Sequence, residues 1–305
     1  MYRKLLMRLL SCFIFLAGLL AAAVNVSAQE SPAQVTILYD AVGKVPGLKH
    51  GWGYSALVEY GGKRILFDTG GHQDDFAANV KSLGVDLSRL DFVVITHRHG
   101  DHTSGLRHVL TLNPGVQIYA PVESGYNMPM PPGLAKMVKR RVDSAPDDMH
   151  YFDGKYPEPM TTGSIWHGAK FTHIRTPTEV LPGFWLFSGV SDKTGTKELN
   201  EVSMAIKTPM GMVVMVGCSH PGIENILEAA AKIDPRVYSV FGGFHLVDLA
   251  DIEVTDIVTR FRDKWKFERV AAGHCTGEFA FSEFNRVYGP KFDHAGVGSV
   301  IALPR

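Results

Sequence analysis

The sequence predicts a single-domain α/β protein, and three observations carry that prediction. Extended apolar segments alternate with segments whose apolar residues recur at helical spacing. One rhythm, an apolar strand leading through glycine and histidine into a helix, occurs three times, at His97, His220 and His274. After the first 28 residues no linker-like stretch divides the chain.

The order of elements follows from local pattern. Val35–Tyr39 and Tyr54–Tyr60 read as strands, and Gly61-Gly62 turns the second into Arg64–Phe67. That third strand ends in Asp68-Thr69-Gly70-Gly71. Phe76, Val80 and Leu83 then mark a helix stopped at Gly84. Leu90–Ile95 is continuously apolar, as expected of a strand buried on both faces. A histidine cluster follows, then a helix from about Thr103 to Leu112 and a strand at Val116–Tyr119. Residues 122–163 break the pattern. They are proline-rich around Met128–Gly133 and basic at Lys136–Arg141, where a short helix is expected. They read as an irregular insertion near the site opening. Within the basic run, Lys139, Arg140 and Arg141 could meet an anionic substrate, but a charge run of this kind reads first as a solvated helix face.

The second half returns to strands at Ile165–Ile174 and Phe184–Phe187, and to a hairpin of Val202–Lys207 with Met212–Val216. Gly217-Cys218-Ser219-His220-Pro221-Gly222 leads into a helix with Ile223, Ile226, Leu227 and Ala230 on one face. Val237–Phe241 runs into Gly242-Gly243-Phe244-His245. A long amphipathic helix carries Ile257, Val258, Phe261 and Trp265. Val270-Ala271-Ala272 leads to Gly273-His274-Cys275-Thr276-Gly277, a last helix ends near Gly289-Pro290, and Val300–Ala302 is the final strand.

Residues 1–28 have a different character. Arg3, Lys4 and Arg8 precede the apolar run Leu9–Val24, and Val26-Ser27-Ala28 offers small residues for a signal peptidase. The expectation is a cleavable signal cut after Ala28, a periplasmic or secreted protein, and no stable membrane anchor after cleavage. An uncleaved anchor is the rival, but the apolar run is short for a span. Cleavage leaves 28 basic against 31 acidic residues, a mildly acidic chain with no bulk charge for nucleic acid or an anionic membrane. A small-molecule substrate is the expected partner, and oligomeric state is open. Export permits a disulfide between Cys218 and Cys275. Each stands beside a histidine in a glycine-rich loop, so both are read as free residues near a metal site.

The chemistry lies in Thr96-His97-Arg98-His99-Gly100-Asp101-His102. In an extended segment His97 and His99 lie on one side and can reach one metal. Asp101 and His102 follow a bend at Gly100 and aim at a neighbouring point, so two divalent metals are expected. The nitrogen-rich set with one carboxylate suits zinc and also tolerates iron or manganese. A metal lowers the pKa of its water from near 16 to about 7, which supplies hydroxide without a serine or cysteine nucleophile. Without a metal these polar groups would crowd together and lack partners.

His97-Arg98-His99-Gly100-Asp101-His102 resembles the signature of the metallo-β-lactamase superfamily, and Asp68-Thr69-Gly70 resembles its strand-end aspartate. The glycine-framed histidines at 220, 245 and 274 resemble the branch named for dihydropterin-ribofuranosylaminobenzene-phosphate synthase. The resemblance covers essentially the whole chain after the first 28 residues. It implies a four-layer αββα sandwich with the site at one edge between two sheets. It also implies His97 and His99 on metal one with His220 as third ligand, and Asp101 and His102 on metal two with His274. Asp68 would orient a ligand from behind, Asp101 would help hold the hydroxide, and His245 would bind metal or protonate a leaving group. Many relatives place a bridging aspartate where this chain reads Gly217-Cys218-Ser219-His220. There Cys218 could serve as a thiolate, His220 could serve alone, or Cys218 could be a buried apolar residue.

His50-Gly51-Trp52-Gly53-Tyr54-Ser55 reads either as a pocket border or as a tight turn into a strand. The expected function is an exported binuclear hydrolase of an ester, phosphoester, lactone or amide. The alternatives are a pterin-pathway synthase, as the branch name implies, or a non-hydrolytic binding or redox protein of the same fold.

Overall fold

Two sheets are each half antiparallel and half parallel, and the parallel halves carry the strand ends that matter. A computed structural model describes residues 31–43, 45–123, 128–129, 132–139, 155–156, 161–162, 166 and 168–305. The signal-like segment at residues 1–28 and most of the insertion lie outside them. Residues 32–305 belong to one compact unit.

Strands β1 (Gln34–Tyr39), β2 (Ser55–Tyr60) and β3 (Lys63–Phe67) form an antiparallel meander. Helix α1 (Gln73–Ser82) crosses to β4 (Phe92–Val94), which pairs parallel to β3. Helices α2 (Gly100–Thr103) and α3 (Leu106–Leu112) cross to β5 (Gln117–Pro121), also parallel. Within the insertion, β6 (Met128–Pro129) pairs with β7 (Thr161–Thr162), and α4 spans Pro132–Val138. Strand β8 (Lys170–Ile174) completes this sheet beside β5.

The second sheet starts with the antiparallel β9 (Thr178–Leu181), β10 (Phe184–Val190), β11 (Asn200–Thr208) and β12 (Gly211–Val216). Helix α5 (Ile223–Ala231) leads to β13 (Val237–Gly242), parallel to β12. Helix α6 (Asp251–Arg260) widens into a π-helical turn, Phe261–Trp265, before β14 (Arg269–Ala272). Helix α7 (Glu278–Tyr288) leads to β15 (Phe292–His294), and β16 (Val300–Ala302) returns to pair with β1.

The apolar residues sort into three layers of core. Val35, Ile37, Phe67 and Val94 of one sheet meet Leu186, Met204, Met215 and Phe241 of the other. Phe76 and Val80 cover the outer face of the first sheet. Leu227, Val258 and Phe284 cover the outer face of the second. This is the expected αββα sandwich. Phe67 and Phe241 are fully buried, and each burial contributes about 2–3 kcal/mol. Each immediately precedes a strand end of the site, so the central core holds those ends in place.

Several expected boundaries move. The helix expected over Thr103–Leu112 is divided: a short helix, Gly100–Thr103, carries Asp101 and His102 after an extended His99, and a second spans Leu106–Leu112. The basic helix expected at Lys136–Arg141 overlaps a helix at Pro132–Val138, whose first turn suits proline, and Arg140 and Arg141 lie outside the described residues. Of the strand expected over Ile165–Ile174, Lys170–Ile174 is a strand and the Ala169 N–H before it donates to the Trp166 carbonyl, while Ile165 lies outside the described residues. Strands β9 and β15 were not expected from pattern, since each is a short edge strand with weak alternation.

Candidate metal centre

The parallel pairing brings the carboxyl ends of β3, β4, β12, β13 and β14 to one edge of the sandwich. The two sheets touch there. The Val202 N–H of the second sheet donates to the Thr96 carbonyl of the first at 2.8 Å. A Cβ on Gly217 would lie 2.4 Å from Thr96 Oγ1, so only glycine lets β12 approach β4 this closely.

Two donor groups meet at this edge. His97, His99 and His220 form one, and Asp101, His102, Cys218 and His274 form the other; ligand atoms within each lie within 4.8 Å of one another. His97 Nε2 faces His99 Nδ1 at 3.1 Å. Cys218 Sγ lies 3.1 Å from His102 Nε2 and 3.2 Å from His274 Nε2. Asp101 Oδ2 lies 3.5 Å from the same two nitrogens. The rings of His97 and His102 are 4.2 Å apart, so the groups adjoin. His97, His102, His220 and His274 are buried, and His99 is half-buried.

The protons on two of these rings are assigned by their neighbours. Thr96 Oγ1 donates its one proton to Asp68 Oδ2 at 2.7 Å, so it can only accept from His97 Nδ1, 2.9 Å away. His102 Nδ1 donates to Asp68 Oδ2 at 2.7 Å. In both rings the Nε2 lone pair is left facing the site. Asp68, through Thr96 and directly, thus orients one ring of each group.

Two further carboxylates hold the loops. Glu201, buried in β11, accepts the backbone N–H groups of Cys218 at 2.9 Å, Ser219 at 2.8 Å and His220 at 2.8 Å. Asp40, also buried, accepts the His274 N–H at 2.9 Å and the Val42 N–H at 3.1 Å, and burial pushes its carboxyl up to about 7. Asp68, Ser219, His245 and His274 have φ of 57°, 66°, 48° and 49°, costly for non-glycine residues and sustained only by surroundings such as these. Sequence reasoning missed Glu201 and Asp40. The available signal was an acid at the edge of an apolar strand: Glu201 opens Val202–Ile206, and Asp40 closes Val35–Tyr39.

The other expected residues are placed as follows. His245 joins neither donor group; its ring is 4.6 Å from that of His220, and its Nδ1 is 3.4 Å from Asp248 Oδ1. It borders the first group and is partly exposed. Cys218 and Cys275 are free, as expected, and buried. The glycine-rich stretch at residues 50–55 does border the site. Trp52, 56% exposed, sets its ring 5.0 Å from that of His274. A Cβ on Gly53 would lie 2.3 Å from the Asp101 carbonyl, which also accepts the Tyr54 N–H. Arg98, between the first two histidines, pairs with buried Glu123, whose other oxygen accepts the Asn200 N–H at 2.7 Å.

The donors fit divalent cations. Both ring nitrogens of His220 and Nδ1 of His274 are buried without a hydrogen-bond partner. Two nitrogen or sulfur donors on one zinc at tetrahedral angles lie about 3.3–3.6 Å apart. The separations above, 3.1 to 3.5 Å, are close to that. Burial depresses His220 to about 3 and His274 to about 4, and it holds His97 well below its ordinary value. For Asp101 burial works upward, but the His274 hydrogen bond and the charges of His102 and His274 outweigh it and keep the carboxyl low. At neutral pH His97, His220 and His274 are therefore neutral and Asp101 is ionised, the forms that bind metal, while against the effect of burial the Asp68 and Asp101 carboxylates raise His102, which gives up its Nε2 proton when it ligates.

The depressed histidines set an acid limit. Unfolded, they take protons near 6.5; folded, His220 and His274 resist down to about 3 and 4. In that window these rings make the unfolded chain bind more protons and lower stability as pH falls, whereas Asp40, pushed up to about 7, and the buried Asp68 and Glu201 carboxyls, also raised, take protons first in the folded chain and oppose that loss. In chelator, the urea midpoint of Asp40→Asn is therefore expected to fall more steeply from pH 6.5 to pH 4 than that of the parent. Equal slopes would show that the Asp40 carboxyl is not raised in the folded state.

Comparison with known proteins gives the following. The sequence profile of the metallo-beta-lactamase superfamily matches residues 51–190. A 7,8-dihydropterin-6-methyl-4-(beta-D-ribofuranosyl)-aminobenzene-5'-phosphate synthase of Methanocaldococcus jannaschii is 26% identical, over 83% of this chain and 90% of the relative. Among solved structures, a metal-dependent hydrolase of the beta-lactamase superfamily is 27% identical with a TM-score of 0.67, covering 90% of this chain and all of that one. Human short-form tRNase Z, 13% identical with a TM-score of 0.52 and covering 89% of this chain and all of its own, shares the fold.

Proposed function

Because the chain belongs to the metallo-beta-lactamase superfamily, we propose that it is an exported, binuclear metal-dependent hydrolase acting on an ester, phosphoester, lactone or amide of a small molecule. The observation that carries the reading is the convergence of two donor groups whose free ring nitrogens face one another at the sheet edge. His97, His99 and His220 hold one cation, and Asp101, His102 and His274 hold the other. Zinc is the expected metal, with iron or manganese as the other candidates. Divalent cations so bound supply water activation near neutral pH and Lewis-acid polarisation of the substrate. Asp101 is the ionised carboxylate beside the second group and positions the attacking water. His245, beside His220 and partly exposed, is placed to give a proton to a leaving group. Asp68 fixes the tautomers of His97 and His102.

Export rests on residues 1–28, and the protein isolated from cells is expected to begin at Gln29. The test of the activity is metal analysis of that protein together with a panel of chromogenic phosphodiesters, lactones, esters and β-lactams. About two metals per chain and turnover of one class are expected. A metal-free protein that folds and still turns over substrate would sink the reading.

The relative of Methanocaldococcus jannaschii favours a second reading, the synthase activity its name states, because the match runs along most of both chains. The signal-like segment weighs against it, since pterin precursors are made in the cytoplasm. Synthase activity in the purified protein, with an intact N-terminus in cells, would favour this second reading.

A further inference from the structure

Both chain neighbours of His245 and the loop after His220 line a cavity that neither donor group uses. Gly222, Phe244, Leu246, Leu249 and Ile257 make its wall mostly apolar, and Lys193 lines it too. Its volume is about 200 Å³, room for roughly six or seven non-hydrogen atoms at about 30 Å³ each. An apolar concavity with a single available charge is what a small-molecule site presents. The charges around it are sorted. Glu224, the carboxylate of the wall, is taken by Arg260 through bonds of 2.7, 2.9 and 3.0 Å. Asp248, next along from Leu249, has an oxygen 3.4 Å from His245 Nδ1. Lys193 makes no ion pair among the described residues, yet its main chain is fixed. Its N–H donates to Ser191 Oγ at 3.3 Å, and its carbonyl accepts the Thr196 N–H at 3.2 Å. The same loop runs into β11, where Glu201 holds the His220 N–H. One segment therefore sets Lys193 and a ligand of the first position in register.

We propose that this cavity receives the far arm of the substrate, a short apolar chain ending in an anion, with Lys193 as the residue that reads the anion. The inference rests on the binuclear reading above and names the substrate class of that site. The reacting group lies at the donor groups, the chain passes His245 and covers Phe244, Leu246 and Ile257, and the terminal carboxylate or phosphate meets the Lys193 ammonium. The ammonium is a point charge on a flexible stem, so it accepts either anion. The apolar wall contributes affinity by area, and the lysine decides which end of the substrate faces the metals.

The test is calorimetric binding of two-ended probes to the zinc-loaded protein, which needs no turnover. Straight-chain dicarboxylates from glutarate to suberate are compared with their own monomethyl esters. At least one dicarboxylate is expected to bind about tenfold tighter than its monoester, the worth of one charge-assisted contact. Lys193→Met is expected to remove that advantage, and Lys193→Arg to keep most of it. Lys197→Met, which changes an exposed lysine of the same loop, is expected to keep all of it. Ile257→Trp, which fills the wall, is expected to weaken the dicarboxylates and the monoesters together. A second arm uses ω-phosphonocarboxylates of the same lengths; whichever series binds tighter identifies the anion. Equal binding of dicarboxylate and monoester, an advantage that survives Lys193→Met, or an Ile257→Trp variant that binds every probe as the parent does would overturn this inference and leave the binuclear reading standing. So would zinc-loaded protein that binds none of the probes. A protein that takes up no zinc would instead remove the binuclear reading itself.

Discussion

Asp101→Ala is expected to lower turnover about 1,000-fold or more while leaving the fold intact. A charge interaction made with the reacting centre is worth several kcal/mol, and about 4 kcal/mol corresponds to a thousandfold in rate. The carboxylate has no structural duty that alanine would forfeit. Its anchoring contact is the main-chain carbonyl, which accepts the Tyr54 N–H at 3.2 Å and remains in the variant. The side chain is partly exposed and, among the described residues, reaches the ring nitrogens of His102 and His274. Asp101→Asn keeps the shape and loses the charge, so it too is expected to be severely impaired. Steady-state rates alongside a melting curve decide the matter. An alanine variant that keeps half of its activity would show that Asp101 takes no part in the chemistry.

Glu201→Ala is expected to have the largest effect on stability. The carboxylate serves three successive buried N–H groups, and each unsatisfied buried group costs about 1–3 kcal/mol. The loss is expected to be about 3 kcal/mol or more, a melting temperature lower by roughly 6 °C or more. It reaches further than stability, because Cys218 faces one donor group and His220 belongs to the other. Releasing their shared anchor frees Ser219 from its left-handed conformation and is expected to weaken both metal positions together. Glu201→Gln retains the oxygen that serves Cys218 and Ser219 but turns an amide toward the His220 N–H, so an intermediate loss is expected. The measurements are thermal melts and metal content of the folded fraction. A variant that melts within about 1 °C of the parent would show that the loop is held by other contacts.

The sequence by itself determined the alternation of strands and helices and the residues of the local cluster. These are short-range properties: apolar periodicity marks each element, and an extended His97-Arg98-His99 turns both rings to one side. The three strand–histidine junctions were legible for the same reason. The signal-like segment was legible too, although it lies outside the described residues. Tertiary structure decided the rest. Asp101 and His102 share a group with Cys218 and His274 only because two sheets close on each other at Thr96 and Gly217. That approach depends on packing across the central core, which no spacing along the chain records. Glu201 and Asp40 were invisible because their partners are backbone N–H groups, which every residue carries and no side-chain pattern reveals. Sequence could name the histidines of the cluster, but the carboxylates that hold the distant loops against them exist as such only once the two sheets have met.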